Sequence, residues 1–520
     1  MNQTPRLIED THIPFDKAAY QKRYMNGYNR PNPRKRKTPA ERDAEYLSRR
    51  IVAIDGEGLN VLRGPRRGAH DYVMLAMTDQ PSIVNPDGLP TMEILDYLWE
   101  NLSHEDINVI YGGSYDFNCW IADLTRDEVS ELYNSDFQGK PFMYNGYALR
   151  WMRGKSFSIK RDDKTVVIND VVSFFQRPFI QACDEYLGEY EGREILVREK
   201  ARRGNFRRSE LKRIGDYNNL ELDLLVRLVT ELRLRLHRVG LKPRRWNSPG
   251  AIAAALFDRE GIKKHMNQDW IPAPVQEAAR YAYAGGRFEM LKYGAVKERA
   301  YEYDINSAYP AALSHVPTLV GGTWKHWKRG NGPVPKAEFA LYHVRYSNDR
   351  HPGGLTIPGP MFHRAENGTI SYPLYSANWI WTPEFQVLQE YCDKIANAEY
   401  FVLEAWIYTP PSNVKPFGFI PALYKMRQAL KKTGDGAHVG IKLALNSIYG
   451  KTAQQVGWRL TADGPRVPTF HQLEWAGFVT SWCRAHVLRA ALQKPTAIIA
   501  FETDALFSSE PLDLPIGEGL

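Results

Sequence analysis

The segment Tyr424–Gln455 leaves the fold the least freedom. Arg427 and Lys431 stand four residues apart, which places both cations on one face of a helix. Thr433-Gly434-Asp435-Gly436 then breaks that helix, because glycines flanking a turn-favouring aspartate end helical periodicity. A second helix follows, with Lys442, Asn446 and Tyr449 on one face and Gly450 one turn beyond Asn446. Two antiparallel helices that offer Arg, Lys and Lys to one groove form a point-charge cradle for a triphosphate. Asn446 and Tyr449 suit a base and a sugar instead. A charged helical hairpin of no special purpose also fits any Lys/Arg pair, but it leaves the string KLALNSIYG (Lys442–Gly450) unexplained.

Carboxylates that would complete such a site lie on either side of the hairpin. Tyr301, Tyr303 and Ile305 alternate with Glu302 and Asp304, the period of a strand. Ser307 is expected to cap a helix whose first turn holds Pro310. Asp304 then falls at a strand end beside a turn, with Tyr309 projecting from the following helix. Ala497–Phe501 reads as a buried strand that turns at Glu502-Thr503-Asp504 and returns through Leu506-Phe507. A strand–turn–strand of this kind can present Asp504 opposite Asp304, although either acid alone also suits a scaffold joint. His471–Leu492 is amphipathic, and its apolar face (Trp475, Val479, Trp482, Val487) reads as core. Residues 317–400 hold Gly, Pro and many aromatics, and predict an insertion of strands and loops without long helices.

The first half alternates strands with helices, which predicts an α/β domain over residues 49–240. Ile51–Ile54 runs into Asp55-Gly56-Glu57, and Tyr72–Met77, Asn108–Tyr111 and Val166–Asn169 read as further strands. Met92–Leu102 and Phe117–Leu124 read as helices, as does Tyr217–Leu236, where Leu220, Leu224, Leu228 and Leu232 share a face. Asp55 and Glu57, two apart on a strand, point to one side and repel each other unless a cation or proton lies between them. Asp116 falls at a strand-to-helix junction. Tyr217 and Glu221 share a helix face, with Asp223 turned away from it. Such carboxylates can hold two divalent ions about 4 Å apart, one generating hydroxide and one steadying the leaving oxygen. Tyr217 would orient the water. Each acid taken singly also fits a solvated strand end.

Composition narrows the setting. A chain of 520 residues has room for two to four domains. No apolar run reaches the length of a membrane span, and the basic N-terminus has no apolar h-region, so neither a membrane partner nor a secretory signal is expected. Four cysteines stand far apart, outside any CxxC or Cys/His cluster, which argues against a disulfide frame or a zinc site. The net charge of +8 is concentrated: residues 1–50 hold twelve Lys/Arg against six Asp/Glu, including Arg34-Lys35-Arg36-Lys37. A second basic segment runs through Lys200–Arg213. Both suit a nucleic-acid partner, and both also suit solvated arms. Residues 1–48 are expected to be an irregular arm.

In order along the chain, these segments resemble the family B DNA polymerases that carry a proofreading 3′–5′ exonuclease. IVAIDGEG is similar to the first exonuclease motif, with Asp55 and Glu57. YGGSYDFN is similar to the second, with Asp116, and has glycine where an asparagine is usual. YNNLE is similar to the third, with Glu221 in place of an aspartate and Asp223 as the alternative ligand. Tyr283-Ala284-Gly285-Gly286 resembles the YxGG motif that contacts template in viral members, which makes Tyr283, Gly285 and Gly286 DNA-binding candidates. DINSAYP resembles polymerase motif A, and KLALNSIYG matches motif B at every specified position. FETDA resembles motif C, with Glu502 for its first aspartate and Ala505 for a serine.

The resemblance spans about residues 50–520 and implies an α/β multidomain chain. An RNase H-like exonuclease domain (49–240) would lead through connecting helices and YxGG (241–298) to a palm with motif A (299–316). The insertion (317–411), two-helix fingers (412–456) and the rest of the palm with motif C (457–520) would follow. It further implies that Asp304, the Ile305 carbonyl and Asp504 hold two Mg²⁺ ions, or Mn²⁺, for synthesis. Asp55, Glu57, Asp116 and Glu221 would hold a second pair, with Tyr217 beside them. Arg427, Lys431 and Lys442 would take the phosphates, Asn446 and Tyr449 the base and sugar, and Tyr309 would exclude a ribose 2′-OH. The partners implied are a DNA primer-template and dNTPs. A phage or mobile-element replicase in the cytoplasm of a bacterial host would add a terminal protein primer if it is protein-primed. Family members continue beyond motif C into a thumb. Here Asp504 lies sixteen residues from Leu520, so a thumb is expected to be missing or supplied in trans.

Two other readings compete. One is an exonuclease whose polymerase half is inactive because motif C is altered. The other is a non-enzymatic basic scaffold that binds single strands through rings such as Phe174 and Phe175.

Overall fold

The computed structural model describes residues 38–61, 68–138, 140–266, 271–297, 299–348, 357–395, 398–454, 459–461 and 464–515. The chain divides after Arg49 into two compact units. Within the expected irregular arm, Pro39–Ser48 is a helix. Thr38 and Glu41 close a reciprocal cap: the Glu41 N–H donates to Thr38 Oγ1 (3.2 Å) and the Thr38 N–H donates to Glu41 Oε2 (2.6 Å). Arg34–Lys37 lies outside the described residues.

The second unit begins with an eight-stranded mixed sheet. Its strands are β1 (Ile51–Asn60), β2 (His70–Met77), β3 (Gln80–Val84), β4 (Ile107–Ile110), β5 (Phe142–Tyr144), β6 (Tyr147–Met152), β7 (Ser156–Arg161) and β8 (Lys164–Asp170), in the order β3-β2-β1-β4-β8-β7-β6-β5. β1, β4 and β8 run parallel and the others pair antiparallel. The parallel strands therefore deliver their carboxyl ends to one edge, where α/β sheets place their ligands. Helix Leu211–Arg238 crosses β1 and buries Tyr217, Glu221, Leu224, Leu228 and Leu232 along one side. It starts six residues earlier than its leucine periodicity suggests. Asp116 lies in a short helix, Ser114–Cys119, rather than ahead of a longer one over 117–124. Phe174 and Phe175 are buried, so they cannot stack on bases.

Two more sheets follow helices Gly250–Glu260 and Ala273–Ala282. Strands β9 (Arg287–Met290) and β10 (Tyr301–Asp304) pair with a later hairpin, described below. An insertion carries β11 (Thr323–Lys328), β12 (Ala340–Ser347), the small ladder β13 (His363–Arg364) with β14 (Ile370–Ser371), then β15 (Tyr375–Trp381) and β16 (Glu399–Thr409). The four long strands form a sheet in the order β11-β16-β12-β15. Contrary to the expectation of strands and loops alone, the insertion also contains helix Thr382–Lys394. Phe385, Val387, Leu388 and Tyr391 bury it against the sheet, and this tertiary contact sustains a helix that sequence periodicity alone does not announce.

The hairpin of helices Ile420–Lys432 and Ala437–Thr452 follows, then β17 (Arg459–Thr461), β18 (Gly464–Arg466) and helix Leu473–Ala491. Finally β19 (Ile498–Thr503) and β20 (Ala505–Ser508) turn at Asp504 and complete the sheet β10-β20-β19-β9. No helix among the described residues is long and apolar enough to cross a membrane.

Candidate active sites

The carboxyl edge of the first sheet gathers acids. Ligand oxygens of Asp55, Glu57 and Glu221 lie within 4.8 Å of one another. β1 aims Asp55 and Glu57 to one side, and Gly56 between them permits the close approach of Tyr72, whose hydroxyl would lie 1.7 Å from any Cβ at that position. Tyr72 donates to Asp116 Oδ1 (2.9 Å) and accepts from Trp120 Nε1 (3.1 Å), which fixes Asp116 beside the trio but outside it. Asp170 holds the loop before Asp116 by accepting from the N–H groups of Gly112 (2.9 Å) and Gly113 (3.0 Å). Asp223 lies away from the cluster, exposed and 3.8 Å from Arg227.

Sequence reasoning missed the cations of this site. Arg203 Nη2 stands 2.5 Å from Glu221, 2.9 Å from Glu57 and 3.6 Å from Asp55, and Lys200 pairs with Glu221 as well. Tyr217 lies beneath the Arg203 guanidinium, 5.5 Å from ring centroid to Cζ. Asn218 Nδ2 donates to Asp55 (3.0 Å). The only signal in the sequence was the basic run Lys200–Arg213, whose destination is tertiary. These cations balance acids that burial would otherwise neutralise. Burial first, then Glu221, pushes Asp55 up to about 7, while Arg203 pulls it down. Burial pushes Glu57 up to about 8 against the pull of Arg203. Asp116 is raised well above the carboxylate range by burial and by Asp55.

A pH dependence follows from these shifts. A raised folded pKa stabilises the metal-free protein below the ordinary carboxylate range, and that contribution is lost as pH rises through about 7 to 8. Metal binding runs the other way, since a cation must displace the protons. In an Asp504→Asn variant, Mn²⁺ titrations followed by electron paramagnetic resonance should show the cluster's affinity rising about tenfold per pH unit for each proton released between pH 6 and 8. A flat affinity over that window contradicts the assignment.

The second site lies between the β19–β20 turn and the helical hairpin. Asp304 ends β10 opposite Ala505, and the Ile305 N–H donates to the Asp504 carbonyl (3.1 Å). A cavity of about 520 Å³ is lined by Asp304, Ile305, Tyr309 and Asp504 from the sheet side and by Arg427, Lys431 and Asn446 from the helices. Burial, then Asp504, then Glu302 raise the Asp304 pKa. Two hard-oxygen donors that repel each other in a half-enclosed cleft, with a backbone carbonyl beside them, fit a divalent ion. Glu502, the altered acid of the turn, is exposed and does not line the cavity. Lys442 is exposed one turn before Asn446 and lies outside that lining. Ser307 does not cap its helix: its φ is +51° and its side chain makes no cap bond. Tyr309 stacks on Tyr449 (4.8 Å between centroids), whose hydroxyl meets that of Tyr283 (3.0 Å).

Gly285 and Gly286 are engaged within the protein. A Cβ on Gly286 would meet the backbone of Thr503 at 2.7 Å, and Thr503 itself holds φ +57° in the turn that carries Asp504. The Ala284 and Gly285 carbonyls accept from Arg484 Nη1 (2.6 and 2.7 Å), and Arg484 is buried with Glu384 (2.8 Å). This pair, too, escaped sequence reasoning, since its members come from two helices 100 residues apart. Gly286→Ala should push the Asp504 turn out of place and slow any reaction that depends on the Asp304–Asp504 pair about 100-fold, leaving the Asp55–Glu57–Glu221 cluster unaffected. An unaffected rate would show that the close approach does not position Asp504.

Two acidic centres in one chain, the second facing a cationic helical hairpin, are an arrangement suited to metal-assisted phosphoryl transfer. Residues 246–457 match the family model described as DNA polymerase type B, organellar and viral. A DNA polymerase of Acidianus bottle-shaped virus (isolate Italy/Pozzuoli) is 24% identical over 508 residues, which cover 91% of this chain and 70% of that one. Phi29 DNA polymerase shares the fold: its complex with primer-template DNA superposes with a TM-score of 0.56 at 15% identity, over 90% of this chain and 81% of that one. With incoming nucleotides also bound, the TM-score is 0.57 at the same identity and coverage. Over residues 246–457 the chain is thus similar to the organellar and viral type B DNA polymerases, and this match, with the viral relative, supports a DNA-directed DNA polymerase activity.

Proposed function

We propose that the cavity between Asp304, Asp504 and the helical hairpin is the synthesis site, and that the Asp55–Glu57–Glu221 cluster is an attached 3′–5′ exonuclease. The observation that carries the reading is the shared cavity, which joins acids 200 residues apart to Arg427 and Lys431. On this reading the first sheet is an RNase H-like exonuclease domain, β9, β10, β19 and β20 are the palm, and the helical hairpin is the fingers.

Asp304, Asp504 and the Ile305 carbonyl would hold Mg²⁺, and Asp55, Glu57, Asp116 and Glu221 would hold it in the second site. When bound, the metal lowers the pKa of an attacking oxygen and offsets charge at the phosphorus. The chain's own groups do the rest. Arg427 and Lys431 take the β- and γ-phosphates of a dNTP and draw charge towards the departing pyrophosphate. Arg427 suits this, because its Nε is buried with no hydrogen-bond partner among the described residues. Tyr309, held by its stack on Tyr449, would exclude a ribose 2′-OH. Asn446 would take the base and sugar. In the exonuclease site, Arg203 must yield part of its contact with Glu57 and Glu221 for a metal to enter.

Primer extension on one end-labelled primer-template tests the whole. With Mg²⁺ and dNTPs the primer should lengthen, and with Mg²⁺ alone it should shorten. Shortening without lengthening would leave only an exonuclease. Binding without either would leave only a scaffold.

A further inference from the structure

The insertion sheet buries one face, including Tyr342, Val344 and Ile380, against helices Thr382–Lys394 and Leu473–Ala491. Its other face is covered at the end that holds Leu341 and Trp381 and is open beyond it. On the open part, cross-strand pairing aligns His326 with Trp406 and His343 with Trp379. The rings of each pair stack nearly parallel, 4.2 Å and 5.0 Å between centroids. Glu404 holds both histidines, 2.7 Å from His326 Nε2 and 3.5 Å from His343 Nδ1, so one carboxylate fixes both stacks. Lys328 and Arg345 flank them, exposed and without an ion pair among the described residues.

The face continues at Ala377 into a cavity of about 770 Å³ between the sheet edge and helix Ala273–Ala282, lined also by Arg280, Tyr281 and Arg364. Tyr281 is 58% exposed and precedes by two residues Tyr283, which reaches Tyr449 beside the synthesis site. A line of rings and cations thus leads from the open face toward that site.

We propose that the open face and the adjoining cavity bind single-stranded DNA, the stretch of template not yet copied. This identity of the occupant rests on the polymerase reading. Bases stack against Trp379 and Trp406, and phosphates meet Lys328, Arg345, Arg280 and Arg364. Ring stacking is sequence-tolerant, which a template strand requires, and the cations outnumber the free carboxylates, since Glu404 is taken by the histidines.

Fluorescence anisotropy on primer-templates with 5′ overhangs of about two and about twenty nucleotides tests this. The wild type should bind the long overhang at least about tenfold tighter, and Lys328→Glu with Arg345→Glu should lose that increment with a salt slope lower by about two. Trp379→Ala, checked by thermal melting, should lose part of it. Binding of the short overhang and single-nucleotide incorporation should not change. Equal loss on both substrates, or no loss, overturns the proposal. So does an altered sedimentation coefficient with unchanged overhang affinity, the sign of a face that holds protein. A wild type that extends no primer on the short overhang counts instead against the polymerase reading.

Discussion

Asp504→Asn should stop dNTP incorporation, lowering its single-turnover rate by about 1000-fold or more, while degradation from the 3′ end continues. The size follows from what the carboxylate does. It shares a cleft with Asp304 and raises the cost of charge there, which a cation relieves. Asparagine keeps the shape and the Thr503 Oγ1 contact (2.7 Å) but removes one negative charge from the metal site. Loss of several kcal/mol of charge stabilisation at the reacting phosphate gives a factor of that order. Glu502→Gln supplies the internal contrast. It lies one residue from the turn yet outside the cavity, so its effect should stay within about tenfold. Equal losses at the two positions would mean that the hairpin matters as a whole rather than Asp504 as a ligand.

The complementary result is expected from Asp55→Asn with Glu57→Gln. Degradation of a labelled primer should fall by about 1000-fold or more, and extension should be retained. Removing two of the three clustered carboxylates leaves Glu221, with Asp116 beside it, to hold a metal, and Arg203, no longer shared, pairs with Glu221 outright. Gel-resolved degradation in Mg²⁺ without dNTPs measures this, and extension by the same preparation controls for folding. Extension lost in parallel would join the two centres into one function.

Much of the site could be read from local pattern. The helical hairpin announced itself through its spacing of cations and its glycine break, and the observed helices end at Lys432 and start at Ala437, around that break. The strand–turn–strand at Ile498–Ser508 and the paired acids of β1 were equally legible, because turn residues and a period of two are local properties. What escaped was tertiary. Arg203 reaches Glu57 across 146 residues, and Arg484 reaches Glu384 across 100, separations over which a single sequence carries no pairing signal. Ser307 was expected to cap by its hydroxyl, but the backbone adopts a left-handed turn there instead. β6 alternates buried and half-buried residues, a pattern visible in Tyr147–Met152, yet its place in the sheet depends on hairpins that no motif marks. The functional assignment rested on order: the motifs say more together than any one does singly, and the folded chain brings the distant ones to one carboxylate cluster and one cavity.

Anomalous diffraction from crystals grown with Mn²⁺, a primer-template and a non-hydrolysable dNTP is the most direct test of the central claim. The account predicts manganese within about 2.2 Å of carboxylate oxygens from both Asp304 and Asp504, with the triphosphate against Arg427 and Lys431. Manganese bound to only one of the two acids, or a triphosphate seated away from the helical hairpin, would contradict it.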